Sequence, residues 1–151
     1  MHHRLFKWLL NCYPPYWATG IVIRSVSPDY RRMTVRMKMH WYNRNYVGTH
    51  FGGSLYAMTD PFYMLMLLQI LSKEYLVWDQ SACIDFIKPG KGTVTAEFEV
   101  TQALLETIVQ NTTEGRKYLP QLPVEVKDET GEVVARVTKT IYVRRKRQLE
   151  R

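Results

Sequence analysis

The sequence predicts an α+β domain in which one antiparallel sheet wraps around a long buried helix. Three observations carry that prediction. Met33, Val35, Met37, Met39 and Trp41 alternate with Thr34, Arg36, Lys38 and His40, the period of a strand with one buried and one wet face. The stretch from about Gly52 to Leu71 is apolar nearly all round, so as a helix it must be enclosed by the rest of the fold. Four further strand-like segments follow it, and a sheet curled around one helix accommodates them all.

The elements follow in order. Arg4–Cys12 reads as a short amphipathic helix stopped by Pro14-Pro15. Gly20–Val26 is a strand, Ser27–Tyr30 a turn, and Met33–Trp41 the second strand. A loop, Tyr42–Phe51, leads into the apolar segment. There Pro61 leaves two readings: one kinked helix from about Gly53, or a fresh helix with Asp60 as N-cap and Pro61 in its first turn, the latter favoured by propensity. Ser81–Lys88 turns through Pro89–Gly92 into Thr93–Thr101, where Val94, Ala96, Phe98 and Val100 alternate with polar residues. After an irregular stretch, Ala103–Arg116, Tyr118–Lys127 and Glu132–Arg144 form a hairpin across Asp128–Gly131. Pro120 and Pro123 predict that Tyr118–Lys127 is an edge strand or irregular. A single curved sheet covers only part of the helix, so a dimer would bury more of it.

At 151 residues the chain suits one domain, with residues 1–14 as an N-terminal helix and 144–151 as a basic tail. Its 46% hydrophobic and 23% charged content exclude a disordered chain. Seven of the 21 basic residues behind the net charge of +7 lie in Arg136–Arg151, a terminal run that reads as solvated rather than as a nucleic-acid site. Cys12 and Cys83 have no metal-ligand spacing, and reduced thiols with no signal-peptide pattern point to the cytoplasm. The longest apolar run, Phe62–Leu71, is far short of the roughly 20 residues that span a bilayer.

The chemistry concentrates between Asn45 and Asp60. Gly48 and Gly52-Gly53 allow close backbone approach, and a helix starting at Gly53 offers free amides to an oxygen gaining negative charge. Asp60 is a carboxylate in an apolar stretch, Asn45 an amide able to orient water or a carbonyl, and His50 a possible acid or base. Each also has a purely structural reading. The glycines serve helix packing, Asp60 an N-cap, His50 a single loop hydrogen bond and Asn45 turn chemistry.

The run N-Y-V-G-T-H-F-G-G-S-L-Y-A-M-T-D resembles the signature of hotdog-fold acyl-CoA thioesterases of the phenylacetate-degradation type. Asn45, Gly48, Gly52, Gly53 and Asp60 fall on its positions without a gap. With I-D-F-I-K-P-G downstream, the chain is more similar still to a hotdog family known as domain of unknown function 4442. The resemblance covers about Pro15 to Val143. It implies a dimer or tetramer with the site at the subunit interface, and one continuous central helix. It further implies hydrolysis of an acyl thioester such as acyl-CoA, with coenzyme A entering only as part of the substrate and no metal. In it Asp60 acts as base or nucleophile, the Gly53 amide polarises the carbonyl, and Asn45 places substrate or water. The pattern departs at Phe51, where relatives carry His, so that donor is lost or replaced by His50. Asp79 and Ser81, just before the next strand, are in reach of the same pocket to hold a water or are ordinary strand-entry polar residues, the second reading being favoured for Ser81, and Arg44, Lys88 and Lys91 are candidates to meet nucleotide phosphates. Loss of the histidine also motivates an alternative, a non-catalytic acyl-binding module.

Overall fold

A computed structural model describes residues 1–71 and 73–146. The N-terminal helix α1 (His3–Asn11) lies along the free edge of strand β1 (Ile21–Val26). The Asn11 side chain accepts from the Ile23 amide at 2.8 Å and donates to the Ile23 carbonyl at 3.1 Å, while Lys7 donates to the Arg24 carbonyl. These contacts cover backbone groups that an edge strand would leave open. Pro14-Pro15 ends α1 as expected and also begins a second helix, α2 (Pro14–Thr19), because proline suits a first helical turn. Gly20 closes α2 at φ +73°, where an added Cβ would also meet the Asn43 amide at 2.8 Å.

Strand β2 (Arg32–Lys38) ends three residues before the predicted Trp41, which is 81% exposed. The chain turns there because buried Asn43 binds it. Its amide donates to the Thr19 and Lys38 carbonyls and accepts from the His40 amide at 2.6 Å.

The central helical segment is not the one continuous helix that the resemblance implies: it divides before Pro61, as propensity favours, into α3 (Gly52–Ala57) and α4 (Phe62–Ile70). The Asp60–Pro61 peptide is cis, and Pro61 itself holds the N-cap position of α4, which no side chain caps. Leu55, Met58, Phe62, Met66 and Leu67 are buried against the sheet, each contributing about 1.5–3 kcal/mol by its burial. Leu68, on the side the sheet does not reach, is exposed.

Strand β3 (Tyr75–Phe86) begins well before the predicted Ser81. It is followed by β4 (Thr93–Glu99), β5 (Lys117–Tyr118), β6 (Gln121–Lys127) and β7 (Val133–Arg145). All pairs are antiparallel, in the order β1-β2-β4-β6-β7-β3, with β5 also on β7. The stretch predicted as irregular forms helix α5 (Gln102–Asn111), capped by Thr101, whose Oγ1 accepts from the Leu104 amide at 3.2 Å. Leu105 and Ile108 are its buried residues.

Pro120 separates β5 from β6, so the predicted irregularity is there, but β6 lies inside the sheet rather than at its edge. Pro123 is tolerated because β4 and β6 pair only through Thr95–Lys127 and Ala96–Val126. Beyond them the strands part around a cleft of about 650 Å³, and the Tyr63 hydroxyl takes the Pro123 carbonyl at 2.8 Å. Cys12 and Cys83 are free thiols. Among the described residues no helix is long and apolar enough to cross a membrane, and no cluster of side chains has a metal-holding arrangement. Residues 147–151 of the basic tail lie outside the described residues.

Candidate functional site

The loop before α3 is built from its own polar side chains. Asn45 Oδ1 accepts from the Val47 and Thr49 amides, and its Nδ2 donates to Thr49 Oγ1 and the His50 carbonyl. Gly48 supplies the left-handed turn at φ +78°. His50 is buried, its amide donating to the Gly90 carbonyl and its Nε2 to the Gly92 carbonyl at 3.0 Å. Burial lowers the imidazole pKa and outweighs the opposing effect of that hydrogen bond, so the ring is held neutral against the 89–92 turn. Asn45 and His50 thus fix the loop, Asn45 through backbone groups and the Thr49 hydroxyl and His50 through its Nε2, while His50 Nδ1 is buried without a hydrogen-bond partner among the described residues.

Phe51 is the N-cap of α3 and provides no side-chain cap. Its carbonyl takes the Ser54 and Leu55 amides at 2.9 and 3.1 Å, leaving the Gly52 and Gly53 amides ahead of the first intrahelical acceptor. A ring lies over each glycine. A Cβ on Gly53 would stand 2.4 Å from Phe51 Cε1, and one on Gly52 would stand 2.9 Å from Phe86 Cζ. The Phe51 ring is 56% exposed and borders a shallow groove of about 400 Å³ with Tyr42, Arg44, Gly53 and Ser54.

Asp60 sits at the junction of α3 and α4. Its carbonyl accepts from the Tyr16 hydroxyl at 2.9 Å, which ties α2 to the break. Burial first, and then the Asp60 charge, raise the Tyr16 pKa, so the phenol stays a donor. The Asp60 carboxylate does not cap α4. It accepts from Lys139 Nζ at 2.5 Å, with the Tyr56 hydroxyl 3.5 Å away on the preceding turn. Lys139 is 0% exposed. It also stands 3.5 Å from Asp79 Oδ1, 3.3 Å from the Tyr56 hydroxyl and 5.1 Å from the Tyr56 ring centre. Burial would lower the Lys139 pKa, but the hydrogen bond to Asp60 and the charges of both aspartates outweigh it and raise it. Asp79 is raised chiefly by burial, against the pull of Lys139, with Asp60 adding to the rise.

A bulge brings Asp79 to this point. Asp79 pairs with Ile141 and Ser81 with Thr140, leaving Gln80 extra. Asp79 therefore shares the inward register of Ile141, whereas exposed Ser81 takes the outward register of Thr140. Lys88 is engaged elsewhere. It pairs with Asp128 at 2.7 Å and with Glu132, both at the β6–β7 hairpin. Of the predicted site residues, the structure brings Asp60 and Asp79 together at one cation. Gly52, Gly53 and Phe51 form the helix entrance, Asn45, Gly48 and His50 shape its loop, and Ser81 and Lys88 point away.

Lys139 and Tyr56 were not anticipated. A signal for Lys139 was present, because it occupies the inward register of β7 with Ala135, Val137, Ile141 and Val143, where a charged residue needs a partner. The resulting arrangement holds two carboxylates, Asp60 and Asp79, at one buried ammonium.

A sheet of this order around a two-part central helix defines a hotdog fold of the thioesterase type. Solved structures agree in fold. A Pseudomonas aeruginosa protein of unknown function described as a probable thioesterase matches with a TM-score of 0.83 at 20% identity, over 96% of this chain and 97% of its own. A thioesterase from Haemophilus influenzae matches with a TM-score of 0.69 at 14% identity, over 100% and 96%. The PaaI protein of the phenylacetic acid degradation operon of E. coli matches with a TM-score of 0.62 at 18% identity, over 93% and 94%. No curated protein matches the chain. The chain belongs to the DUF4442 family, a domain of unknown function whose model matches residues 2–143.

Proposed function

We propose that the protein hydrolyses an acyl thioester, with acyl-CoA as the substrate class, in the cytoplasm. The observation that carries this reading is the Asp60 carboxylate, which accepts a hydrogen bond from buried Lys139 at the break of the central helix. In the reaction Asp60 takes a proton from water as the water oxygen bonds to the thioester carbonyl carbon. The carbonyl oxygen gains negative charge against the Gly53 amide. Collapse of the tetrahedral adduct breaks the C–S bond, and the departing thiolate takes the proton from Asp60. Asp79 supports the water, while Asn45 and His50 act by fixing the loop that presents Gly53. Dimers complete the site, because β3 is an edge strand and Leu68 of α4 is exposed. The test is thiol release from a panel of acyl-CoAs of increasing chain length. Wild type is expected to turn over at least one, and Asp60→Ala to fall to background. Equal, negligible rates for both on every chain length would refute hydrolysis.

One observation favours a second reading, an acyl-binding module without turnover. The Phe51 ring lies against Gly53 where related thioesterase signatures carry a histidine donor. Saturable binding of acyl-CoA or fatty acid with no thiol release would select this reading over hydrolysis.

A further inference from the structure

The outer face of β1 and β2 carries positive charge that no described residue neutralises by an ion pair. Period-2 alternation sends Arg36 and Lys38 outward from β2, about 7 Å apart along the strand. Arg24, at the bulge of β1, lines the same groove. Among the described residues, no carboxylate forms an ion pair with any of the three, although cations elsewhere on the sheet, such as Arg32, Lys127 and Arg136, are paired. The groove holds about 610 Å³, and no acidic residue lines it.

Its other walls are aromatic. Trp17 is 62% exposed, yet its indole nitrogen donates to the Asn11 carbonyl at 2.6 Å, so the ring is fixed while much of it stays open. Tyr42 stacks on His40, with ring centres 5.0 Å apart and planes 5° from parallel. Exposed cations without counter-charge beside exposed ring faces match a ligand that joins phosphate to a planar base. The groove is neighboured by the helix entrance at Tyr42. Tyr42 lines both it and the smaller groove containing Arg44, Phe51 and Gly53.

We propose that this groove binds the phosphorylated nucleotide end of the thioester's carrier, with the phosphates on Arg24, Arg36 and Lys38 and the base against Trp17 or Tyr42. The thiol-bearing arm then runs past Tyr42 and Arg44 towards Gly53. The choice of a nucleotide-bearing carrier rests on the acyl-CoA reading above; the anion site itself rests on the groove.

Calorimetric titration of the full chain with adenosine 3′,5′-bisphosphate, the nucleotide end of coenzyme A without its thiol arm, tests the groove apart from the reaction. Saturable binding is expected, weakened about tenfold or more in Arg36→Ala/Lys38→Ala. It should be unchanged in Arg32→Ala, which removes a β2 arginine already paired with Glu99. No saturable binding, or equal affinity in the double variant, overturns the proposal. Binding to phosphatidylglycerol vesicles in place of the nucleotide also overturns it, because the cations would then serve a membrane surface. Nucleotide binding as expected in a chain that cleaves no thioester leaves the groove standing and overturns hydrolysis. Normal thioester cleavage without nucleotide binding does the reverse.

Discussion

An ammonium with no solvent exposure, such as that of Lys139, is tolerated in a strand only where opposite charge compensates it. Asp60 and Asp79 supply that charge, and removing the cation leaves two carboxylates facing each other in a partly buried space. Lys139→Met is expected to destabilise the fold by about 3–5 kcal/mol, read from urea denaturation. Thioester turnover should fall with it, whereas Lys139→Arg should recover more of the stability than of the rate. The neighbouring acid gives a pH signature. Burial holds Asp79 above the ordinary carboxylate range, so the folded chain keeps a proton that the unfolded chain releases near pH ~4. Stability contributed by this group therefore declines as pH rises from about 4 through the raised value, then levels. Asp79→Asn should abolish that decline in denaturation midpoints measured across the range. His50 has the opposite sign. Its pKa is lowered by burial, so its contribution is present above about pH 6.5 and lost as pH falls below that value. In His50→Gln the acid side of the profile should flatten.

Single elements decide where these groups stand. The 89–92 turn fixes the site loop, since His50 bonds to Gly90 and Gly92 through its backbone and ring. Gly90 is buried, and a Cβ there would meet Val134 Cγ1 at 2.7 Å, a packed side chain with no room to swing away. Gly90→Ala should cost about 1–3 kcal/mol in thermal unfolding. By contrast Gly53→Ala meets only the partly exposed Phe51 ring, which can rotate, so its effect on stability should be smaller than that of Gly90→Ala. Helix α5 depends on its cap. Thr101→Ala removes the side-chain acceptor for Leu104 and should cost about 1 kcal/mol while leaving ligand binding unchanged. The bulge at Gln80 sets which acids face inward, and without it Asp79 and Ser81 would share one face of β3.

For the whole molecule, the sheet leaves one side of the central helix and one long strand edge uncovered. β3 pairs only with β7, and Ala82, Cys83 and Phe86 along it are exposed. A second copy that adds its β3 to this edge would pair the open backbone groups and cover Leu68 and its neighbours. Sedimentation equilibrium should therefore report a dimer or a dimer-based tetramer. A charge placed on the edge, Ala82→Lys, should shift it towards monomer. A wild-type chain that stays monomeric at high concentration would remove the subunit interface from the proposed site.

The sequence by itself determined the layers of this protein. Strict alternation in β2 and β4, the Asp128–Gly131 hairpin and an all-apolar helix segment each report burial over short spans, and burial is what such patterns encode. It also marked the glycines of the helix entrance and the carboxylate at the helix break, because Gly52, Gly53 and Asp60 lie on one short motif. Helix α5 was missed, the stretch reading as irregular, because the surrounding polar residues obscure the signal in Thr101 followed by Leu105 and Ile108 at helical spacing. Only the tertiary structure decided what each polar group touches. Lys139 and Asp60 are distant in the chain and meet through the register of β7 against β3 and the helix break. The same register turns Ser81 away from Asp79, and the closure of the 89–92 turn commits His50 to backbone. A periodic pattern states that a position faces inward; which charge it meets there is set by pairing between remote segments, which local sequence does not specify.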